Sequence, residues 1–74
     1  MKHLILVVPH GSDSISAEIE LNVTVAELQP VMGWENENDY LYDYKLTAQQ
    51  ISGIERLISQ SLPRNVELYL SCDA

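Results

Sequence analysis

Between Ile15 and Val23 the chain alternates without a break. Ile15, Ala17, Ile19, Leu21 and Val23 fall on one side, and Ser16, Glu18, Glu20 and Asn22 on the other. A period of two belongs to a β-strand, whose successive side chains point to opposite faces. Two glutamates keep the polar side wet, so this run predicts a sheet with one covered and one open face. The preceding run, Lys2 to Val8, is largely apolar on both sides, which suits a strand inside a sheet. Pro9-His10-Gly11-Ser12-Asp13-Ser14 is a turn cluster that joins the two runs as a β-hairpin with a long loop.

The rest of the chain supplies the cover. Thr24 and Glu27 have capping-box spacing, and Val25, Leu28 and Met32 form a short apolar stripe. Pro30 limits that helix to one or two turns, and Gly33 suits its stop. After a polar loop from Trp34 to Asp39, Tyr40 to Leu46 alternates as a third strand, with Tyr40, Tyr42, Tyr44 and Leu46 on one face. Thr47 and Gln50 repeat the capping box. Ile51, Ile54, Leu57, Ile58 and Leu62 then share one helical stripe, which Pro63 ends. Val66 to Cys72 alternates as a fourth strand, with Cys72 expected buried beside Leu70. The order β-β-α-β-α-β predicts an α+β fold, a two-layer sandwich of about four strands with two helices on one face.

At 74 residues the chain is one domain, residues 1–74, with a small core. Its 4 Lys and Arg against 11 Asp and Glu give a net charge of −7. Nucleic acid and anionic membrane both require a basic face, so neither is expected as a partner. A basic protein is the partner such a charge attracts. One cysteine allows no internal disulfide, and the apolar run from Leu4 to Val8 is too short for a signal sequence or a membrane span. These features predict a cytoplasmic protein, monomeric or weakly homodimeric.

Two helices cover one face of a four-stranded sheet. The covered face is expected to take Ile15, Ala17, Ile19, Leu21, Leu68, Leu70 and one side of the first strand. The open face then carries Glu18, Glu20, Glu67 and Tyr69 around the other side of the first strand, either His3, Ile5 and Val7 or Leu4, Leu6 and Val8. An apolar centre with a carboxylate rim has the anatomy of an interaction surface.

No catalytic or metal-binding pattern stands out. His10-Gly11-Ser12-Asp13 holds the residue types of a nucleophile relay, but such a relay is assembled across a fold, and these are also ordinary turn residues. The two histidines and Cys72 lack zinc spacing. Glu35-Asn36-Glu37-Asn38-Asp39 lacks the ligand alternation and central glycine of a calcium loop. Gly11, Gly33 and Gly53 stand alone and build no phosphate cradle. The expectation is a non-enzyme with no cofactor and no metal.

The most informative constellation runs from Trp34 to Tyr44. It holds the single Trp, three of four Tyr, and Glu35, Glu37, Asp39 and Asp43 with no base before Lys45. Aromatic anchors dominate binding hot spots, and a single-sign cluster steers a basic partner. Trp34, Glu35, Glu37, Asp39, Tyr40, Tyr42 and Asp43 are therefore the first candidate surface. Trp34, at a helix boundary before five polar residues, is read as an anchor, against the alternative that it caps the small core.

Met32-Gly33-Trp34, the acids, then Tyr42-Asp43-Tyr44-Lys45-Leu46-Thr47 and Gln50 resemble small bacterial immunity proteins of polymorphic toxin systems, of the contact-dependent inhibition or Rhs type, over roughly residues 32–58. The resemblance implies a cytoplasmic inhibitor that binds and neutralises a cognate toxin domain. The alternative function is an acidic mimic of nucleic acid that occupies a basic groove of a nuclease or nucleic-acid-binding protein. Such a mimic needs its carboxylates in a long stripe rather than clustered beside aromatics.

Overall fold

The computed structural model describes residues 2–73. In chain order it contains β1 (Lys2–Pro9), β2 (Ala17–Leu21), α1 (Val25–Met32), a 3-10 turn (Asp39–Leu41), β3 (Tyr44–Lys45), α2 (Ala48–Ile58) and β4 (Val66–Asp73). The strands form one sheet in the order β2-β1-β4-β3, with every neighbouring pair antiparallel. The chain is a small α+β domain, with the strands and helices in the expected order. β1 lies inside the sheet, as its two apolar sides require.

The core sits between the sheet and the helices. His3, Ile5 and Val7 of β1, Leu68 and Leu70 of β4, and Leu21 of β2 are buried with Leu28 of α1 and Ile54 of α2. Trp34, Leu46 and Leu62 complete this buried set. Leu4, Leu6 and Val8 therefore take the open face. Ile15 and Ala17 were expected in the core, but Ile15 is 50% exposed and Ala17 is exposed too. The cause is local: β2 pairs with β1 only from Ala17 to Leu21, and the Ser16 N–H and hydroxyl both donate to the Val7 carbonyl where pairing begins. Ile15 precedes that point and stays outside the sandwich.

Both capping boxes form. The Thr24 hydroxyl accepts from the Glu27 N–H at 3.1 Å while the Glu27 carboxylate accepts from the Thr24 N–H at 2.9 Å. Thr47 and Gln50 do the same at 3.2 and 3.0 Å. α1 is about two turns long, as Pro30 implies. The helix runs 8 residues to Met32, because Pro30 falls in its last turn and costs one backbone bond. Gly33 then stops it in the left-handed conformation, φ 70°, donating its N–H to Gln29. α2 ends before Pro63, at Ser59, which also adopts a left-handed φ of 55°. Leu62 is nonetheless buried. Its N–H donates to Glu55 Oε2 at 2.6 Å, and Arg64 donates to Glu55 Oε1 at 3.0 Å, so one helix carboxylate clasps the outgoing chain against the core.

The third strand is the largest departure from expectation. Only Tyr44–Lys45 pairs, against β4, and Asp39–Leu41 coils into the 3-10 turn. Asp39 Oδ2 accepts from the N–H groups of Glu35 and Asn36 at 3.1 and 3.0 Å, and the Tyr44 hydroxyl donates to the Asp39 carbonyl at 2.6 Å. These local bonds prevail over the tyrosine alternation. Cys72 lies opposite His3, on the face of Leu70, but near the end of β4 it is half-buried rather than buried. Among the described residues no helix is long and apolar enough to cross a membrane.

Candidate interaction surface

The register fixes the open face row by row. Glu20, Leu4 and Ser71 stand side by side across β2, β1 and β4, and the Ser71 hydroxyl donates to Asp43 at 2.8 Å, just before β3. The next row is Glu18, Leu6, Tyr69 and Lys45. The last is Val8 beside Glu67. An aliphatic stripe, Leu4, Leu6 and Val8, thus runs down the middle, half-buried by its neighbours, with carboxylates on both flanks. This is the second candidate surface, with Glu18, Glu20, Glu67 and Tyr69 gathered on one side of the sheet as expected. The Asp43–Ser71 bond links it to the acidic loop, so the two surfaces read separately in the sequence are contiguous.

Lys2 and Lys45 moderate the charge. Lys2 Nζ lies 2.8 Å from Glu20, and Lys45 Nζ lies 3.1 Å from Glu67. Hydrogen bonding and attraction to these carboxylates raise both lysine pKa values. Glu67 also accepts from the Tyr69 hydroxyl at 3.2 Å and faces His10 Nδ1 at 3.7 Å. Bonds from Lys45 and then Tyr69 hold the Glu67 carboxyl below its usual range. Glu18 makes no ion pair among the described residues.

The loop of the first candidate surface is divided by the fold. Trp34 is not an exposed anchor: it is 8% exposed, with its ring centroid 6.0 Å from that of His3 and 5.9 Å from that of Tyr44. A chain with so small a core uses its one tryptophan to close it. The buried indole Nε1 has no hydrogen-bond partner among the described residues, and burial raises the pKa of the neighbouring Tyr44 hydroxyl. Tyr40 is half-buried, with its carbonyl 3.2 Å from Nε2 of the buried His3, an accepting partner when that nitrogen carries the ring proton. Asp39 organises the loop from within. Tyr42, 63% exposed, and Leu41, 44% exposed, stand outward with Glu35, Glu37 and Asp43. A strand here would set Leu41 on the face of Asp43 and Lys45, opposite the tyrosines; the 3-10 turn instead leaves it exposed next to Tyr42.

The turn at residues 10–13 builds no relay. The Ser12 hydroxyl donates to the Ser14 carbonyl and accepts from the Ser14 N–H, and His10 faces Glu67. Among the described residues no three His, Cys, Asp or Glu side chains converge as metal ligands.

Three carboxylates make the fold acid-sensitive. Asp39 is held below its usual pKa by the N–H groups of Asn36 and Glu35, Glu55 by the N–H of Leu62 and by Arg64, and Glu67 by Lys45 and Tyr69. A depressed folded-state pKa contributes stability above the unfolded value of about 4 and loses it as pH falls through the folded value. The melting temperature is therefore expected to fall steadily below about pH 4.5. Thermal melts from pH 7 to pH 3 check this, and Glu55→Gln should flatten part of the decline.

A family model described as "Domain of unknown function (DUF7683)" matches residues 10–70. No curated protein and no solved structure matches the chain.

Proposed function

We propose, for a chain that belongs to the DUF7683 family, a role as a non-catalytic protein-binding domain that captures a basic partner on the open face of its sheet. The observation that supports this reading is the aliphatic stripe Leu4, Leu6 and Val8 flanked by Glu18, Glu20, Glu67 and Asp43, with Tyr69 beside Leu6. A desolvatable centre supplies affinity, and an acidic rim supplies encounter rate and partner choice. In its finer form the partner is a bacterial toxin domain and the chain its cytoplasmic immunity protein. That form rests on the resemblance over residues 32–58. The nucleic-acid mimic is the weaker reading, because Lys2 and Lys45 sit within the line of carboxylates and interrupt the stripe that a mimic needs.

The test is calorimetric titration with basic toxin domains of polymorphic toxin systems. Tyr69→Ala is expected to lose about 2 kcal/mol of affinity, as central aromatic hot spots do, while the domain keeps a cooperative melt. Added salt should slow association, since screening removes the long-range attraction. Unchanged affinity for both Tyr69→Ala and Glu18→Lys would exclude this face as the interface.

A further inference from the structure

β2 and β3 are the two edges of the sheet, and they are unequal. β3 pairs over only Tyr44–Lys45, while β2 offers the five residues Ala17–Leu21 with no strand on its outer side. Such an edge presents unpaired N–H and C=O groups, a template for another strand. The two faces of this template differ. Glu18 and Glu20 are exposed on the open side. On the helix side Ile19 and Leu21 line a groove of about 280 Å³ with Leu57 and Ile58 of α2 and Gln60 just after it, and Glu20 and Asn22 border it.

We infer that the β2 edge accepts, by strand addition, an extended segment of a basic protein in which cationic and aliphatic side chains alternate. Pairing to β2 would satisfy its outer backbone groups. The period of two would then send every second side chain into the groove beside Ile19 and Leu21, and the others toward Glu18 and Glu20. Charge decides between occupants. In a two-fold pairing with a second copy centred on Ile19, Glu18 would face Glu20 of that copy, twice over, and like charges directly opposite are destabilising. A cationic strand converts the same four-carboxylate problem into two attractions. Lys2 does not pre-empt them, because its pair with Glu20 is formed between two exposed side chains and is readily exchanged. This edge shares Glu18 and Glu20 with the open face but adds backbone pairing and the helix-side groove, neither of which the open face uses, so it is a second way of holding a basic partner.

The test uses the full chain and three capped seven-residue peptides: alternating Lys and Val, the same sequence N-methylated on alternate amides, and alternating Glu and Val. Proton–nitrogen spectra are followed during titration. The Lys/Val peptide is expected to shift Ala17–Leu21, Leu57 and Ile58 and to slow exchange of the outward β2 amides. N-methylation, which preserves charge but blocks the ladder, should weaken binding about tenfold or more, and the Glu/Val peptide should not bind. The double variants Glu18→Lys with Glu20→Lys, and Glu18→Gln with Glu20→Gln, should weaken Lys/Val binding, about tenfold for the reversal. Tyr69→Ala should leave it unchanged, which separates this edge from the open-face reading. Equal binding of the methylated peptide, shifts confined to Leu4, Leu6 and Tyr69, or no shifts at millimolar peptide would each overturn the proposal.

Discussion

Trp34→Ala is expected to bring the domain to the edge of unfolding. Truncating a buried Trp costs about 3–5 kcal/mol, and a chain of this size has roughly 4–11 kcal/mol in total. Trp34 is in the buried core, and its ring lies near those of His3 and Tyr44. Alanine would leave a void where the loop meets the sheet, and the Tyr44 bond to the Asp39 carbonyl would lose its packed support. Trp34→Phe should recover most of the loss, since it keeps an aromatic ring and discards a buried N–H that has no partner. Thermal and urea unfolding followed by far-ultraviolet circular dichroism check both variants. A melt unchanged by Trp34→Ala would contradict the burial described above.

Ile54→Ala should be the next most damaging change, at about 2–5 kcal/mol. Ile54 is fully buried on the sheet side of α2. The size of the loss depends on how far the surroundings can relax into the space. Beside it, Gly53 brings α2 so close to α1 that a β-carbon there would lie 2.8 Å from Val31 Cγ1. The helices already touch, so α2 cannot settle further toward α1 to fill the void. The cost is therefore expected in the upper half of that range. A drop in urea midpoint at constant slope would identify a pure packing loss.

Local chemistry was the legible part of this chain. Both capping boxes, the Gly33 stop and the interior position of β1 follow from residues a few positions apart. Which side of β1 enters the core did not follow. Hydrophobicity alone favours burying Leu4, Leu6 and Val8 over a side that carries His3. His3 is buried all the same, 2% exposed, because the Tyr40 carbonyl and the Trp34 ring meet it from distant parts of the chain. The tyrosine run misled for a related reason. Its alternation is genuine, but Asp39 draws the Glu35 and Asn36 amides onto one carboxylate and coils the segment before it can pair. Of the candidate site, the carboxylates of the open face were placed correctly. Their lysine partners and the Asp43–Ser71 link depend on register, which periodicity leaves free.

The strand order also governs how this fold can assemble. The hairpin of β1 and β2 and the two capped helices rely on short-range contacts and can form early. The sheet's centre cannot, because β1 pairs along its length with β4, drawn from the far end of the sequence. Closing so long a loop carries an entropic penalty before the pairing returns anything. Docking of β4 is thus expected to set the folding rate, with the inner edge of β1 open to intermolecular pairing until it occurs. Substitutions in β4 such as Leu70→Ala should slow refolding if its pairing is formed in the transition state. Substitutions at the helix caps, which can form before that step, should likewise slow refolding and leave the unfolding rate little changed.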